Sequence, residues 1–162
     1  MKRIIYNNPD GSVAVVIPAP EYTGTMTELA ASVVPVGIDY AIVEHTDIPA
    51  DRTFRNEWQL VDDVVVVPVG GTVAAVVTKK VSVNIPKAQA KWKDKWREAR
   101  KALLEDLDKK SLLAIEGNKP NAEKKVITDA KQALRDVTNT PLPNDVDGIK
   151  ATWPAILGPK PT

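Results

Sequence analysis

The first candidate for acid–base or metal chemistry is the single histidine of the chain. His45 stands close to two acids, Glu44 and Asp47. A catalytic triad would need His45 as its base, but no serine stands in a G-x-S-x-G context. A zinc site needs several convergent ligands, usually further histidines or cysteines, and the chain has no cysteine. We therefore interpret His45 as a surface residue and expect no metal site.

Clustered carboxylates are the second candidate for chemistry. Asp62-Asp63 and the acids of 105–108 (Glu105, Asp106 and Asp108) could act as general acid and base in a cleft that shifts one pKa. The run 105–108 instead stands at helical spacing from Lys101 and other lysines, which is typical of solvated ion pairs. Gly70-Gly71 lacks the glycine spacing of phosphate-binding loops. We expect no catalytic residue, no enzymatic activity and no bound cofactor.

A basic segment, residues 87–101, carries seven basic residues against two acids and also contains Trp92 and Trp96. Cations can hold phosphates and indoles can stack on bases, so a nucleic-acid-binding protein using this segment is the alternative hypothesis. The two tryptophans are four residues apart, however, and belong to an apolar stripe. That spacing favours a packed helix face with a solvated basic face behind it, and we do not expect nucleic acid as the partner.

Composition describes a globular chain of 162 residues with 43% apolar and 27% charged residues and a net charge of +1. Charge is divided unevenly, with a net −4 over residues 1–85 and +5 over 86–162. No apolar run approaches the roughly 18 residues of a membrane helix, so no membrane partner is expected. The start of the chain lacks the apolar region of a secretion signal, which predicts synthesis in the cytoplasm.

The N-terminal half is predicted to be mostly β-structure. The turn-forming run 7–11 separates two β-branched runs, which predicts a hairpin, and Gly70-Gly71 between valine-rich runs predicts another. Thr25 and Glu28 form a capping box that begins a short helix. The predicted elements are strands Arg3–Tyr6 and Val13–Ile17, helix Met26–Val33, and strands Tyr40–Glu44, Phe54–Leu60, Val64–Val69, Thr72–Val77 and Val81–Ile85.

The C-terminal half is predicted to be an αα-hairpin followed by an extended, proline-rich tail. The first helix begins at Pro86 and ends near Ile115, with Gly117 as its C-cap. The second runs from about Pro120 to Asp136, and the short connection favours an antiparallel pair. The fold class is therefore α+β, with a β-rich domain 1–85, a helical hairpin 86–137 and a tail 138–162. The predicted apolar faces are Trp92, Trp96, Ala99, Leu103 and Leu107 on the first helix and Val126, Ala130, Ala133, Leu134 and Val137 on the second.

Residues 90–157 resemble the bacteriophage tail assembly chaperones and tail-fibre assembly proteins. That family has a helix of the form Arg-x-x-Arg-x-x-Leu-Leu-x-x-x-Asp, a second helix ending in Leu-Arg-Asp, a proline-containing strip and a terminal Trp-Pro. The N-terminal start and the Phe54–Trp58 stretch are similar to small phage proteins that carry the same helical module. Here the matching residues are Arg97, Arg100, Leu103, Leu104 and Asp108, then Leu134, Arg135 and Asp136, then Pro141, Pro143, Trp153 and Pro154.

The resemblance implies a non-enzymatic accessory protein of a phage tail or tail fibre that docks on a structural protein of that assembly. Two versions stay open: an assembly chaperone that acts in the host cytoplasm and leaves, and a small structural subunit retained in the mature virion. The valine-rich hairpin within Val61–Lys80 is an addition to the family pattern and favours retention. Homo-oligomerisation also stays open. The expected partner-binding residues are Trp92, Trp96, Arg97, Arg100, Leu103, Arg135 and Trp153.

Overall fold

The computed structural model describes residues 1–69 and 72–161, with side chains described outside 64–77. The chain divides into two compact units, Met1–Asn84 and Ile85–Thr162. Strands dominate the first unit and helices the second, which confirms the α+β class. Residues expected to form a separate tail belong to the second unit. Within the described residues, no helix has the length and apolar character needed to cross a membrane.

The first unit contains a three-stranded antiparallel sheet in the order β2-β1-β3. The chain turns between β1 and β2 through the predicted polar run, where the Ser12 N–H donates to a carboxylate oxygen of Asp10 at 2.8 Å. The strands are β1 (Lys2–Asn7), β2 (Val13–Val16) and β3 (Tyr40–Glu44).

Both faces of this sheet are covered, because the adjacent residues Ile4 and Ile5 point to opposite faces and are both fully buried. Ile5 belongs to a core cluster with Trp58 and Val81. Helix α1 (Met26–Val33) packs against β1. Its predicted capping box is confirmed.

A long antiparallel hairpin follows, formed by β4 (Trp58–Val69) and β5 (Thr72–Val83). Twelve residues of strand span about 40 Å, about twice the length of β1. The predicted pairing of valine-rich runs is confirmed for the backbone. The predicted Gly70-Gly71 turn and the side chains of 64–77 lie outside the described residues.

Two predicted strand boundaries in this region were wrong. The strand expected over Phe54–Leu60 begins only at Trp58, because residues 55–57 form a 3₁₀ turn in which the Glu57 N–H donates to the Phe54 carbonyl oxygen at 3.0 Å. Phe54 and Trp58, four residues apart, can be buried by a turn as well as by a strand. The alternation of apolar and polar residues therefore does not distinguish a turn from a strand. The strand expected over Val81–Ile85 is instead the end of β5.

The second unit begins with α2 (Ile85–Glu116), 32 residues or about 48 Å long. The helix ends in a Schellman motif, in which the Lys119 N–H donates to the Ala114 carbonyl oxygen and the Asn118 N–H to that of Ile115. The left-handed residue of this motif is Asn118, with φ 47°. Gly117, the predicted C-cap, directly follows the last helical residue, and the left-handed conformation is at the next residue.

Helix α3 (Asn121–Asp136) returns along α2, as predicted for a helical hairpin. Leu134 is buried in this contact, and Lys131 reaches Asp108 of α2 with an N–O distance of 2.8 Å. The predicted apolar face of α3 was partly wrong, because Val126 is 69% exposed while the neighbouring Ile127 is half-buried.

The prediction of an extended tail needs correction, because the segment after α3 folds back on α2. It contains the short helix α4 (Val146–Ala151), whose N-cap Asp145 accepts the Gly148 N–H at 2.7 Å. Ile149 is fully buried, so the tail contributes to the core of this unit. Three-residue 3₁₀ turns at 137–139 and 155–157 complete the segment.

Candidate docking surface of the helical unit

The predicted partner-binding residues separate into buried, capping and exposed groups. Trp92 and Trp96 are buried, Trp153 and Arg100 are half-buried, and the other three are exposed. The structure therefore does not bring the seven side chains together into one accessible surface. Their partner-binding role stays a prediction, and burial removes Trp92 and Trp96 from direct contact with a partner.

Trp92 fastens the C-terminal segment to α2. Its indole N–H donates to the Thr152 carbonyl oxygen at 2.9 Å. The ring of Trp153 meets the Trp92 ring edge-on, with centroids 6.2 Å apart and an interplanar angle of 80°. The ammonium groups of Lys95 and Lys160 lie 4.6 and 5.6 Å from the centroid of the same ring, within reach of cation–π attraction. Trp153, expected to be an anchor for a partner, is thus an anchor within the unit.

Trp96 is a core residue with no exposed surface. Its indole N–H finds no acceptor within the described residues. A buried unpaired donor costs about 1–3 kcal/mol of stability. Burial of the large apolar area of the ring offsets this cost.

Arg100 caps the end of α3. Its guanidinium donates to the carbonyl oxygens of Leu134 at 3.2 Å and of Arg135 at 2.8 Å. The last carbonyl groups of a helix lack partners within the helix, and a cation there also complements the helix dipole. Arg100 therefore links α2 to the end of α3.

Arg97, Arg135 and Leu103 are exposed on the helical hairpin. The Arg97 guanidinium pairs with the Asp94 carboxylate one turn earlier on α2. Leu103 is 36% exposed although it lies on the predicted stripe. All three side chains are accessible at the surface of the helical hairpin.

Four large apolar side chains that we did not assign to a site are exposed near the turn of the helical hairpin. Leu112, Leu113 and Ile115 lie in the last turns of α2 and are 57%, 65% and 63% exposed. Val126, in the second turn of α3, is 69% exposed. We call these four residues the apolar tip. The sequence did carry the signal, since the first three fall off the stripe of Trp92 and Trp96.

No similar protein assigns a function to this geometry. The sequence matches no protein-family model, no curated protein and no solved structure.

The alternative hypothesis of nucleic-acid binding relied on Trp92 and Trp96 to stack on bases, but the indoles of both residues are buried. Base stacking needs an exposed aromatic face. Arg100 of the same segment is engaged by α3. The basic segment 87–101 thus keeps its cations but does not present the aromatic residues that would accompany them.

Carboxylates and histidine of the first unit occupy structural positions. Asp62 and Asp63 pair with Lys79 and Lys80 across β4 and β5, at 3.2 and 2.9 Å. His45 is exposed in a 3₁₀ turn. Among the described residues, no group of three or more histidine, cysteine or acidic side chains could hold a metal ion.

Three carboxyl groups have a pKa below the ordinary value, and each shift has a local cause. Hydrogen bonds from Ser12 lower the pKa of Asp10. The backbone N–H of Thr25, then its hydroxyl, lowers the pKa of Glu28 in the capping box. The amino group of Met1, 3.0 Å away, lowers the pKa of Glu44. These shifts stabilise the ionised groups and do not prepare an acid for catalysis.

Proposed function

We propose that this protein is a non-enzymatic accessory protein of a bacteriophage tail or tail fibre. It acts by docking on a structural protein of that assembly. The observation that carries the docking mechanism is the apolar tip, Leu112, Leu113, Ile115 and Val126, whose side chains are more than half exposed. Several large apolar side chains exposed near one end of a helical hairpin favour an interaction with another protein.

The phage assignment is supported by the resemblance of residues 90–157 to tail and tail-fibre assembly proteins. The charged residues Arg97 and Arg135 of that resemblance are exposed, as rim residues that orient a partner would be. The protein would act in the host cytoplasm during assembly, with retention in the virion as the second outcome of the same docking.

The experiment is quantitative mass spectrometry of purified phage particles and of cross-linked complexes from infected cells. An integer ratio to the major tail protein in particles supports a retained subunit. Absence from particles, together with cross-links to a tail or fibre protein in the lysate, supports an assembly factor. Absence from particles and no cross-link to any tail or fibre protein would contradict the proposal.

A double variant and a control variant test whether cross-linking to the partner depends on the apolar tip. Leu113→Ser combined with Val126→Ser removes apolar area from the tip at positions that are already exposed, so folding should be preserved. We expect at least a tenfold loss of cross-linked partner, since apolar contacts at the centre of an interface carry much of its free energy. Glu116→Ser, in the last turn of α2, is the matched control and should leave cross-linking unchanged.

A further inference from the structure

A basic pocket lies beside the edge strand β2 in the first unit. Its volume is about 220 Å³, and its lining includes Arg3, Arg52, Arg55 and His45 with the apolar side chains of Val15 and Trp58. A second groove continues along β2, and Arg55 and Val15 line this groove as well. We call the two together the β2 groove.

Charge is sharply segregated at the β2 groove. The first unit is net negative, with six basic and ten acidic residues. Three of the six basic side chains line the groove, while no carboxylate appears in its described lining. Within the described residues, the guanidinium groups of Arg52 and Arg55 have no hydrogen bond or ion pair. The groove therefore presents unneutralised arginines in an otherwise acidic unit, which favours an anionic occupant.

The backbone of β2, which lines part of both grooves, offers hydrogen bonds at the free edge of the sheet. Beside the turn, the Asn8 N–H donates to the Ser12 carbonyl oxygen at 2.8 Å. Hydrogen-bonded pairs alternate along an antiparallel ladder, so the N–H and C=O groups of Val13 and Val15 point away from β1. β2 is at the edge of its sheet, and no other described strand pairs with it there. This edge can accept another extended segment.

We propose that the β2 groove binds an extended acidic segment of another protein, which adds to the sheet beside β2 and places carboxylates against Arg52 and Arg55. Main-chain hydrogen bonds would supply affinity, as in other cases of strand addition. Arginine matches a carboxylate with two parallel N–H donors and would select an acidic sequence. The β2 groove and the apolar tip share no residue, and the proposal stands without the phage assignment.

The first test is fluorescence anisotropy with a labelled octapeptide of alternating valine and glutamate, on the full-length protein. The same peptide with lysine in place of glutamate is the matched control. We expect saturable binding of the glutamate peptide, weakened by salt, and no binding of the lysine peptide. Equal binding of both peptides, or binding of neither, would overturn the proposal. Binding of inorganic phosphate without the peptide would reassign the pocket to small anions and also overturn it.

Variants locate the binding. Arg52→Gln and Arg55→Gln change exposed side chains, so both proteins should fold. Each substitution should lower the affinity for the glutamate peptide by about three- to fivefold, the range for a partly exposed ion pair. Lys2→Gln removes a base of the same unit that does not line the groove, and should change affinity less than twofold. An equal loss in Lys2→Gln would mean that net charge, and not the groove, attracts the peptide.

Amide hydrogen exchange distinguishes strand addition from simple charge attraction. In the free protein the amides of Val13 and Val15 should exchange fast, while those of Ala14 and Val16 are already protected by β1. On saturation with the glutamate peptide, Val13 and Val15 should become at least tenfold slower. Unchanged exchange at both, with the peptide bound, would rule out addition to β2.

Discussion

The indole N–H of Trp92 donates to the backbone carbonyl oxygen of Thr152 at 2.9 Å, across 60 residues of sequence. This bond joins the longest helix to a segment whose sequence resembles a free tail. Together with the edge-on contact of Trp153 on the same ring, it explains why residues after 138 belong to the helical unit. Helix packing in this unit therefore depends on the tail.

The two buried tryptophans of α2 should respond differently to phenylalanine. Trp92→Phe leaves the Thr152 carbonyl oxygen without its donor, whereas Trp96→Phe removes an N–H that has no acceptor. Because both changes remove similar ring area, we expect Trp92→Phe to lower the free energy of unfolding by about 1 kcal/mol more. Urea unfolding followed by far-ultraviolet circular dichroism measures the helical unit. An equal loss in both variants would mean that the Thr152 bond contributes nothing.

Arg100 should stabilise the protein more than its neighbour Arg97. Arg100→Gln removes donors to two carbonyl groups at the end of α3, so we expect a loss of about 1 kcal/mol in the free energy of unfolding. Arg97→Gln removes an exposed pair within one helix and should cost less than about 0.5 kcal/mol. The same urea titration measures both. If Arg97→Gln proved the more damaging, the capping role of Arg100 would be wrong.

Asn118 should tolerate glycine but not alanine. Its φ of 47° is left-handed, a conformation in which a Cβ is strained and which glycine adopts freely. We expect Asn118→Ala to lower the free energy of unfolding by about 1 kcal/mol and therefore to lower the melting temperature. Asn118→Gly should leave the melting temperature unchanged or raise it. Two variants with the same melting temperature would show that backbone conformation at this turn does not limit stability.

Acid should destabilise the first unit through its carboxylates. The folded-state pKa of Glu28 and of Glu44 is below the ordinary value of 4.5, so the ionised forms are favoured by folding. Their stabilising contribution is complete above about pH 4.5 and is lost as the pH falls through the lowered folded values. Nuclear magnetic resonance signals of amides in residues 1–63 should report this loss on acid titration.

Glu28→Gln isolates one of these contributions. The variant should show a weaker dependence of first-unit stability on pH below 4.5 than the wild-type chain, because the capping carboxylate is gone. Glu21→Gln, at an exposed position outside the capping box, is the control and should keep the wild-type dependence. An identical pH dependence in all three proteins would contradict the role of the Glu28 carboxylate.

Local signals in the sequence predicted most of the elements, because their physical causes lie within a few residues. The capping box of Thr25 and Glu28 defines the start of α1, and a turn between β-branched runs defines the first hairpin. The start of α3 followed from Pro120 and the short connection before it. The limits of β4 and β5 were harder, because apolar alternation does not distinguish a strand from the turn at 55–57.

The candidate site was less predictable, because an exposed and a buried tryptophan have the same sequence signal. Trp153 resembled an anchor for a partner until its ring was placed on Trp92. The arginines of the β2 groove come from β1 and from the loop before β4, and no spacing in the sequence shows that they meet. The helix α4 had a signal in its N-cap Asp145, which the surrounding prolines obscured.

The sequence by itself determined the α+β class, the position of most helices and strands, and the uneven distribution of charge. These properties follow from backbone preference, capping and hydrophobic period, all of which act over a few residues. Only the tertiary structure decided which apolar faces are covered: Trp92 and Trp96 are buried, whereas Leu113 and Val126 remain exposed. A helical period defines a face but not its neighbour, and burial depends on which distant segment packs there.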